Sequence, residues 1–171
     1  INYNFLNSRG HLQNIKNNRV KYFFGDIRDE KTVDISMKNC DVVLNLAALI
    51  GIPYSYDAPS SYISTNINGT LNLLNYSLKH KIKRFIHTST SEVYGSAQFV
   101  PITEKHPLVG QSPYSASKIG ADQLVTSFNK SFSASRRYPE SGSSTCCQGL
   151  MALGLRISTT SSFKNDLRIS G

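Results

Sequence analysis

The chain has 171 residues, 39 % of them hydrophobic and 18 % charged, which suits one domain of roughly 100–200 residues folded around a core. No stretch reaches the roughly 20 consecutive apolar residues of a membrane span, and the first six residues lack both the basic region and the apolar run of a signal peptide. The formal charge of +8 raises nucleic-acid binding, but its densest cluster, Lys79, Lys81, Lys83 and Arg84, carries no interleaved aromatic platforms and reads as a solvated basic face at a helix end.

Val20-Lys-Tyr-Phe-Phe24 reads as a strand, followed by Gly25-Asp26-Ile27-Arg28-Asp29. Asp29 caps a short helix over residues 30–38, with Val33 and Met37 on one face. Residues 41–48, Asp-Val-Val-Leu-Asn-Leu-Ala-Ala, have the near-continuous apolar character of a parallel strand buried on both faces. Gly51, Pro53 and Pro59 then punctuate a loop. A helix is expected over residues 59–80, where Ile63, Ile67, Leu71, Leu74 and Leu78 form one apolar stripe. Arg84-Phe-Ile-His-Thr88 is the next strand, and Pro113 opens a helix that buries Ile119, Leu124, Val125 and Phe128. Strands alternating with helices at this spacing give right-handed βαβ units and a parallel sheet, hence the α/β class.

Residues 134–171 break this rhythm. They hold eight serines in 38 residues, no strand of period two, and a glycine-punctuated apolar stretch at 149–155. The domain expected is 1–133, with 134–171 an atypical tail. Three cysteines, two of them adjacent (Cys146, Cys147), make no disulfide framework, so a reducing, cytoplasmic setting is expected.

Tyr114-Ser-Ala-Ser-Lys118 sets a phenol and an ammonium one helical turn apart. A free tyrosine titrates near 10, and a neighbouring ammonium lowers that value toward use as a base on a hydroxyl. On its own the spacing is common and reads first as an ordinary surface pair. Its context is Thr88-Ser89-Thr90-Ser91-Glu92-Val93-Tyr94-Gly95, directly after a parallel strand, where open α/β sheets bind ligands. Glu92 is a candidate general acid and base, and Thr90 and Ser91 offer hydroxyls to a substrate; a Ser/Thr-rich turn with a solvated Glu is the alternative. His87, mid-strand, reads as a packed histidine, and His11, His80 and His106 lack metal spacing. Tyr54, Tyr56 and Tyr62 read as packing rather than substrate contacts.

Ser89-Thr-Ser-Glu-Val-Tyr-Gly95, followed about twenty residues later by Ser112-Pro-Tyr-Ser-Ala-Ser-Lys118, resembles the extended short-chain dehydrogenase/reductase family, and within it the nucleotide-sugar 4,6-dehydratases. Gly25-Asp-Ile-Arg-Asp29, Leu46-Ala-Ala48 and Thr65-Asn-Ile-Asn-Gly-Thr70 carry the same resemblance, which covers about residues 1–133. Residues 47–56 and 96–118 are most similar to the NAD-dependent 4,6-dehydratases of legionaminic acid biosynthesis. The resemblance implies a Rossmann-type parallel sheet with flanking helices, NAD as cofactor (NADP remaining open), a nucleotide-diphosphate sugar as substrate, and a homodimer at full length. It implies that Asp26 and Ile27 flank the adenine, that Leu46, Ala47, Ala48 and Thr65 line the cofactor, and that Tyr114 and Lys118 hold the nicotinamide ribose. Tyr114 would take the proton of the sugar 4-hydroxyl and Glu92 the C5 proton, with water leaving from C6. The triplet Thr90-Ser91-Glu92 matches guanosine-diphosphate-mannose dehydratases; with Ser91 where thymidine-diphosphate-glucose dehydratases have Asp, Glu92 serves both proton transfers. A sugar 4-epimerase and a non-catalytic fragment or binding module are the alternatives.

Two departures accompany the resemblance. The Gly-rich turn that cradles a pyrophosphate is not in the chain, whose first five residues read as the end of a second strand, and residues 134–171 lack the family's next strand and Asn…Gly-Pro segment. With no initiator Met either, the chain reads as truncated at both ends, its tail frame-shifted or disordered, and it is expected to be inactive alone.

Overall fold

The computed structural model describes residues 20–135 and 157–160. In chain order these form α1 (Glu30–Ser36), β1 (Val42–Asn45) and α2 (Ile52–Asp57), then a long helix in three parts: α3 (Pro59–Tyr62), a π-helical stretch (Ile63–Asn68) and α4 (Gly69–Lys79). β2 (Arg84–Thr88), a 3-10 turn (Ser91–Tyr94), α5 (Pro113–Ser135) and β3 (Ile157–Thr160) follow. β1 and β2 run parallel, from Val42 opposite Arg84 to Asn45 opposite His87. The long helix is the crossover that parallel pairing requires. Parallel strands flanked by helices are the Rossmann-type α/β pattern expected from the sequence.

Local chemistry explains the elements. The Asp29 carboxylate accepts from the Lys31 N–H and the Thr32 hydroxyl and so caps α1. That leaves Val33 and Met37 facing the core, where they meet Leu73 and Leu74 of α4, Ile82, Phe85 of β2 and Val125 of α5. Ile27 packs against this cluster and presses on Gly69, where an added Cβ would stand 2.5 Å from the Ile27 Cδ1. In the basic cluster, Lys79 pairs with Asp34 at 3.0 Å and Lys83 with Asp41 at 2.8 Å. It is a face of surface ion pairs, which solvent screens to little net stabilisation. Among the described residues no helix is long and apolar enough to cross a membrane.

The structure corrects several expectations. Residues 20–24 are not part of a strand, and Phe23 and Phe24 are exposed. The strand expected over 41–48 is only Val42–Asn45, and it is buried on one face: Val43 packs on the core while Val42 and Leu44 are 52 % and 53 % exposed. No described element covers that second face. Where a loop was expected, α2 forms with Pro53 in its first turn, a position whose N–H has no helical partner anyway.

The apolar stripe of the long helix is also displaced. Ile63 and Leu78 are exposed, and the buried side is Tyr62, Thr65, Asn66, Gly69, Thr70, Leu73, Leu74 and Ser77. The π-helical stretch carries an extra residue per turn and rotates the face by about 100° relative to an uninterrupted α-helix. Finally, the tail does hold a strand. Ile157–Thr160 runs antiparallel to Phe85–Thr88 on the other side of β2. Its four β-branched and hydroxyl residues suit an extended ladder but are too few to register as a period. The expected end of a strand at 1–5, Cys146-Cys147 and the rest of the tail lie outside the described residues.

Candidate active site

Two serines fix the start of α5. The Ser112 hydroxyl accepts from the Ser115 N–H at 3.1 Å, while the Ser115 hydroxyl accepts from the Ser112 N–H at 2.9 Å, a reciprocal cap. Tyr114 and Lys118 then point inward one turn apart, both buried. The Lys118 ammonium donates to the Thr88 carbonyl, 2.7 Å away at the carboxyl end of β2. The Tyr114 ring meets the edge of Tyr62, at 6.2 Å between centroids, and Tyr62 is held in turn by its hydroxyl donating to the Gly51 carbonyl. Tyr62 is thus packing, as expected, with Tyr54 and Tyr56 exposed.

Burial pushes the Tyr114 phenol up from its ordinary value, the Thr90 hydroxyl bonded to it works the other way, and the Glu92 and Asp122 carboxylates add to the rise. The expectation that Lys118 lowers it is not met. In this state the ammonium is turned to the Thr88 carbonyl, and desolvation of the phenolate wins. Burial likewise pushes the Lys118 ammonium down, while Asp122 supports its charge.

Thr90, two residues beyond β2, is extended and caps the 3-10 turn, accepting from the Glu92 N–H at 3.3 Å. The turn leaves Ser91 and Glu92 exposed and buries Val93 and Tyr94 behind them. Gly95 closes it at φ +62°, with the Val109 carbonyl where a Cβ would stand, so an L side chain is excluded there on two counts. Thr90, Glu92, Tyr114 and Lys118 therefore gather at the end of β2.

Residues 46–48 follow the end of β1, with Leu46 exposed and Ala47 and Ala48 half-buried. Asn66 ties this segment to the other two elements. Its amide accepts from the Leu49 N–H at 2.8 Å and donates to the Leu49 carbonyl at 3.0 Å and to the Ser117 hydroxyl at 2.9 Å. Thr65, beside it in the π-helical stretch, is fully enclosed, and its hydroxyl has no hydrogen-bond partner among the described residues. Asp26 and Ile27 are anchored elsewhere. Asp26 is clasped by the Arg28 guanidinium, which holds its carboxyl below the usual range, and Asn72 of α4 donates to the Ile27 and Arg28 carbonyls at 3.2 Å.

Asn66, Asn45 and Asp122 were not singled out from the sequence. Each had a signal: Asn45 is the one polar residue within Val42-Val-Leu-Asn-Leu-Ala-Ala48, Asn66 lies inside a motif, and Asp122 repeats the four-residue step from Tyr114 to Lys118. His87 is the packed histidine expected, 1 % exposed, with its Nδ1 3.1 Å from the Asn45 amide nitrogen. Burial holds its pKa below the ordinary value. The unfolded chain therefore takes up this proton first, so the stability His87 contributes is complete above about pH 6.5 and falls as the pH drops below it. Urea midpoints between about pH 7.5 and 5 are expected to fall more for the wild type than for His87→Leu; equal slopes contradict this assignment.

Residues 2–137 match the family described as GDP-mannose 4,6-dehydratase. The low-salt glycan biosynthesis protein Agl12 of Haloferax volcanii is 41 % identical over 110 residues, 64 % of this chain and 36 % of that protein. Among solved structures, the dTDP-glucose 4,6-dehydratase of Streptomyces venezuelae with NAD and TYD bound is 31 % identical at a TM-score of 0.70, over 74 % of this chain and 39 % of that one. The UDP-glucose 4-epimerase of Bifidobacterium longum in complex with NAD+ and UDP is 34 % identical at a TM-score of 0.62, over 66 % and 34 %. The chain spans about a third of the length of the curated relatives it matches.

Proposed function

The chain belongs to the GDP-mannose 4,6-dehydratase family, and on that footing we propose that it carries the catalytic segment of an NAD-dependent nucleotide-sugar 4,6-dehydratase. The observation that carries this reading is the meeting of Tyr114, Lys118, Thr90 and Glu92 at the carboxyl end of a parallel strand. The donor set suits a dinucleotide. Lys118 has one of its three donors on Thr88 and two to offer a ribose, and the Thr65 hydroxyl is an enclosed donor still without a partner among the described residues. Tyr114, Lys118, Thr65 and residues 46–48 would hold the nicotinamide half, and Asp26 and Ile27 the adenine. When bound, NAD supplies reversible hydride acceptance, oxidising the sugar at C4 and reducing it later at C6.

The remaining steps belong to side chains. Tyr114, as phenolate, takes the proton of the sugar 4-hydroxyl, with the Lys118 ammonium one turn away as the fixed positive charge that favours the phenolate once a ligand draws it from Thr88. Thr90 holds the sugar oxygen beside it. The 4-ketone makes the C5 proton acidic. Glu92, exposed on its turn and without a cation partner among the described residues, takes that proton and returns one to the leaving C6 hydroxyl, which departs as water. Ser91 donates a hydrogen bond without acting as the acid.

Within this class, the likeness of residues 47–56 and 96–118 favours the dehydratases of legionaminic acid biosynthesis, working as a cytoplasmic homodimer. Residues 1–133 are proposed as part of the cofactor domain and residues 134–171 as an atypical tail, of which Ile157–Thr160 adds a strand to the sheet.

The test is a chimaera. Residues 20–133 replace the matching segment of the Streptomyces venezuelae dehydratase, which supplies the rest of the enzyme. Incubated with dTDP-glucose, GDP-mannose or UDP-N-acetylglucosamine, it is expected to convert one of them to a product lighter by one water, while the 171-residue chain alone converts none. A product of unchanged mass favours the 4-epimerase reading, and no product from a folded chimaera favours a segment without catalytic competence.

A further inference from the structure

Asp122 lies one turn beyond Lys118 on the buried side of α5, and no step above uses it. Its carboxylate accepts the Ser89 hydroxyl and faces the His87 Nε2 across 3.4 Å. The protons along this line can be assigned from the partners. Thr70 donates its hydroxyl to the Asn66 carbonyl at 2.7 Å, so toward Asn45, 3.3 Å away, it can only accept. The Asn45 amide nitrogen therefore donates to Thr70 and also to the His87 Nδ1 at 3.1 Å. His87 is then neutral with its proton on Nε2, the nitrogen that faces the Asp122 Oδ1 at 3.4 Å without closing a hydrogen bond in this conformation. The same amide orientation leaves the Asn45 oxygen to accept from the Ala47 N–H at 3.2 Å.

We propose that Asp122, His87 and Asn45 are positioning residues of the site, a buried line of donors and acceptors through which α5 sets the backbone of residues 46–48. The claim rests on the reading above where it assigns those residues to the cofactor; the line of contacts does not depend on it. Asn45 and His87 force one another. Reversing the His87 tautomer turns an N–H onto the Asn45 donor, and reversing Asn45 turns its NH₂ onto the Ala47 N–H. In an enclosed site such a donor–donor meeting costs more than an ordinary hydrogen bond contributes. Helix α5 thereby holds Tyr114 and Lys118 and the strand-end segment opposite them in one register.

The test uses the full 171-residue chain with nitrogen-15 in its histidines and backbone. His87 is expected to resonate as the neutral Nε2–H tautomer. Asp122→Leu, which removes the acceptor at similar size, is expected to speed exchange of the Ala47 amide by about tenfold or more, with Val33 and Val125 amides unchanged. Asp122→Asn restores an acceptor and is expected to return Ala47 to within about threefold of the wild type. Asn45→Asp cannot donate to Nδ1 and is expected to leave His87 protonated on both nitrogens; this variant decides the matter if Asp122→Leu does not fold. An Nδ1–H tautomer in the wild type, or an Ala47 amide indifferent to both substitutions, overturns the proposal.

The chimaera supplies the second arm. There, Asp122→Leu is expected to raise the half-saturating NAD concentration about tenfold beyond any change in kcat. The nuclear resonance response without that rise shows a structural line only and overturns the positioning role. An inactive wild-type chimaera instead counts against the dehydratase reading, while the tautomer and Ala47 measurements still judge the line.

Discussion

Tyr114→Phe in the chimaera is expected to lower turnover by about 10²–10⁴-fold, the usual contribution of a positioned acid–base group. The ring sits in a fixed pocket, packed on Tyr62 and carried by a capped helix, so removing one oxygen leaves its surroundings in place. Stability should change little, since the substitution removes one oxygen and keeps the ring contact with Tyr62. The loss is therefore expected in kcat, with nucleotide-sugar affinity largely kept. Burial opposes the phenolate, so activity is also expected to climb with pH from neutrality toward the alkaline side, a limb absent in the phenylalanine variant. Retention of more than about a tenth of wild-type turnover would remove Tyr114 from the proposed mechanism.

The second large effect is at Glu92. Glu92→Gln is expected to reduce product formation by about 10²–10⁴-fold as well, but at a different step. The glutamine keeps the 3-10 turn, whose cap is Thr90 and whose closure is Gly95, so the fold is not at issue. Oxidation at C4 needs Tyr114 and is expected to continue. What stops is exchange of the C5 hydrogen with solvent, measured as deuterium in the sugar recovered from heavy water. Wild-type levels of deuterium at C5 in the Gln variant would mean that another group removes that proton.

The two candidate motifs were legible because each is local. The four-residue step of Tyr114 and Lys118 fixes them on one helical face wherever the helix goes, and the polar run at 88–92 follows a strand whose bounds the structure reproduces. Val33 and Met37 were legible for the same reason, with Asp29 marking the helix start. Longer reach failed. The burial of residues 59–80 was misplaced by the π-helical stretch, since a stripe counted at one period cannot register a turn with an extra residue. Residues 20–24 have the composition of a strand but form none, and composition does not supply a ladder. The Tyr114 ionisation was misjudged because spacing gives proximity without direction: Lys118 points to the Thr88 carbonyl. The polar line from Asp122 to Asn45 joins α5, β2 and β1, residues 77 positions apart in sequence that only the tertiary fold brings together.

The most direct measurement is a crystal structure of the chimaera with NAD and a nucleoside diphosphate. The account predicts the nicotinamide ribose within hydrogen-bond reach of the Tyr114 hydroxyl and the Lys118 ammonium, roughly 2.6–3.2 Å, with the Lys118 bond to Thr88 loosened or shared. Glu92 should face the open side where a sugar would follow. Clear density for NAD away from Tyr114 and Lys118, or a ribose that leaves both side chains as they stand without it, would contradict the account.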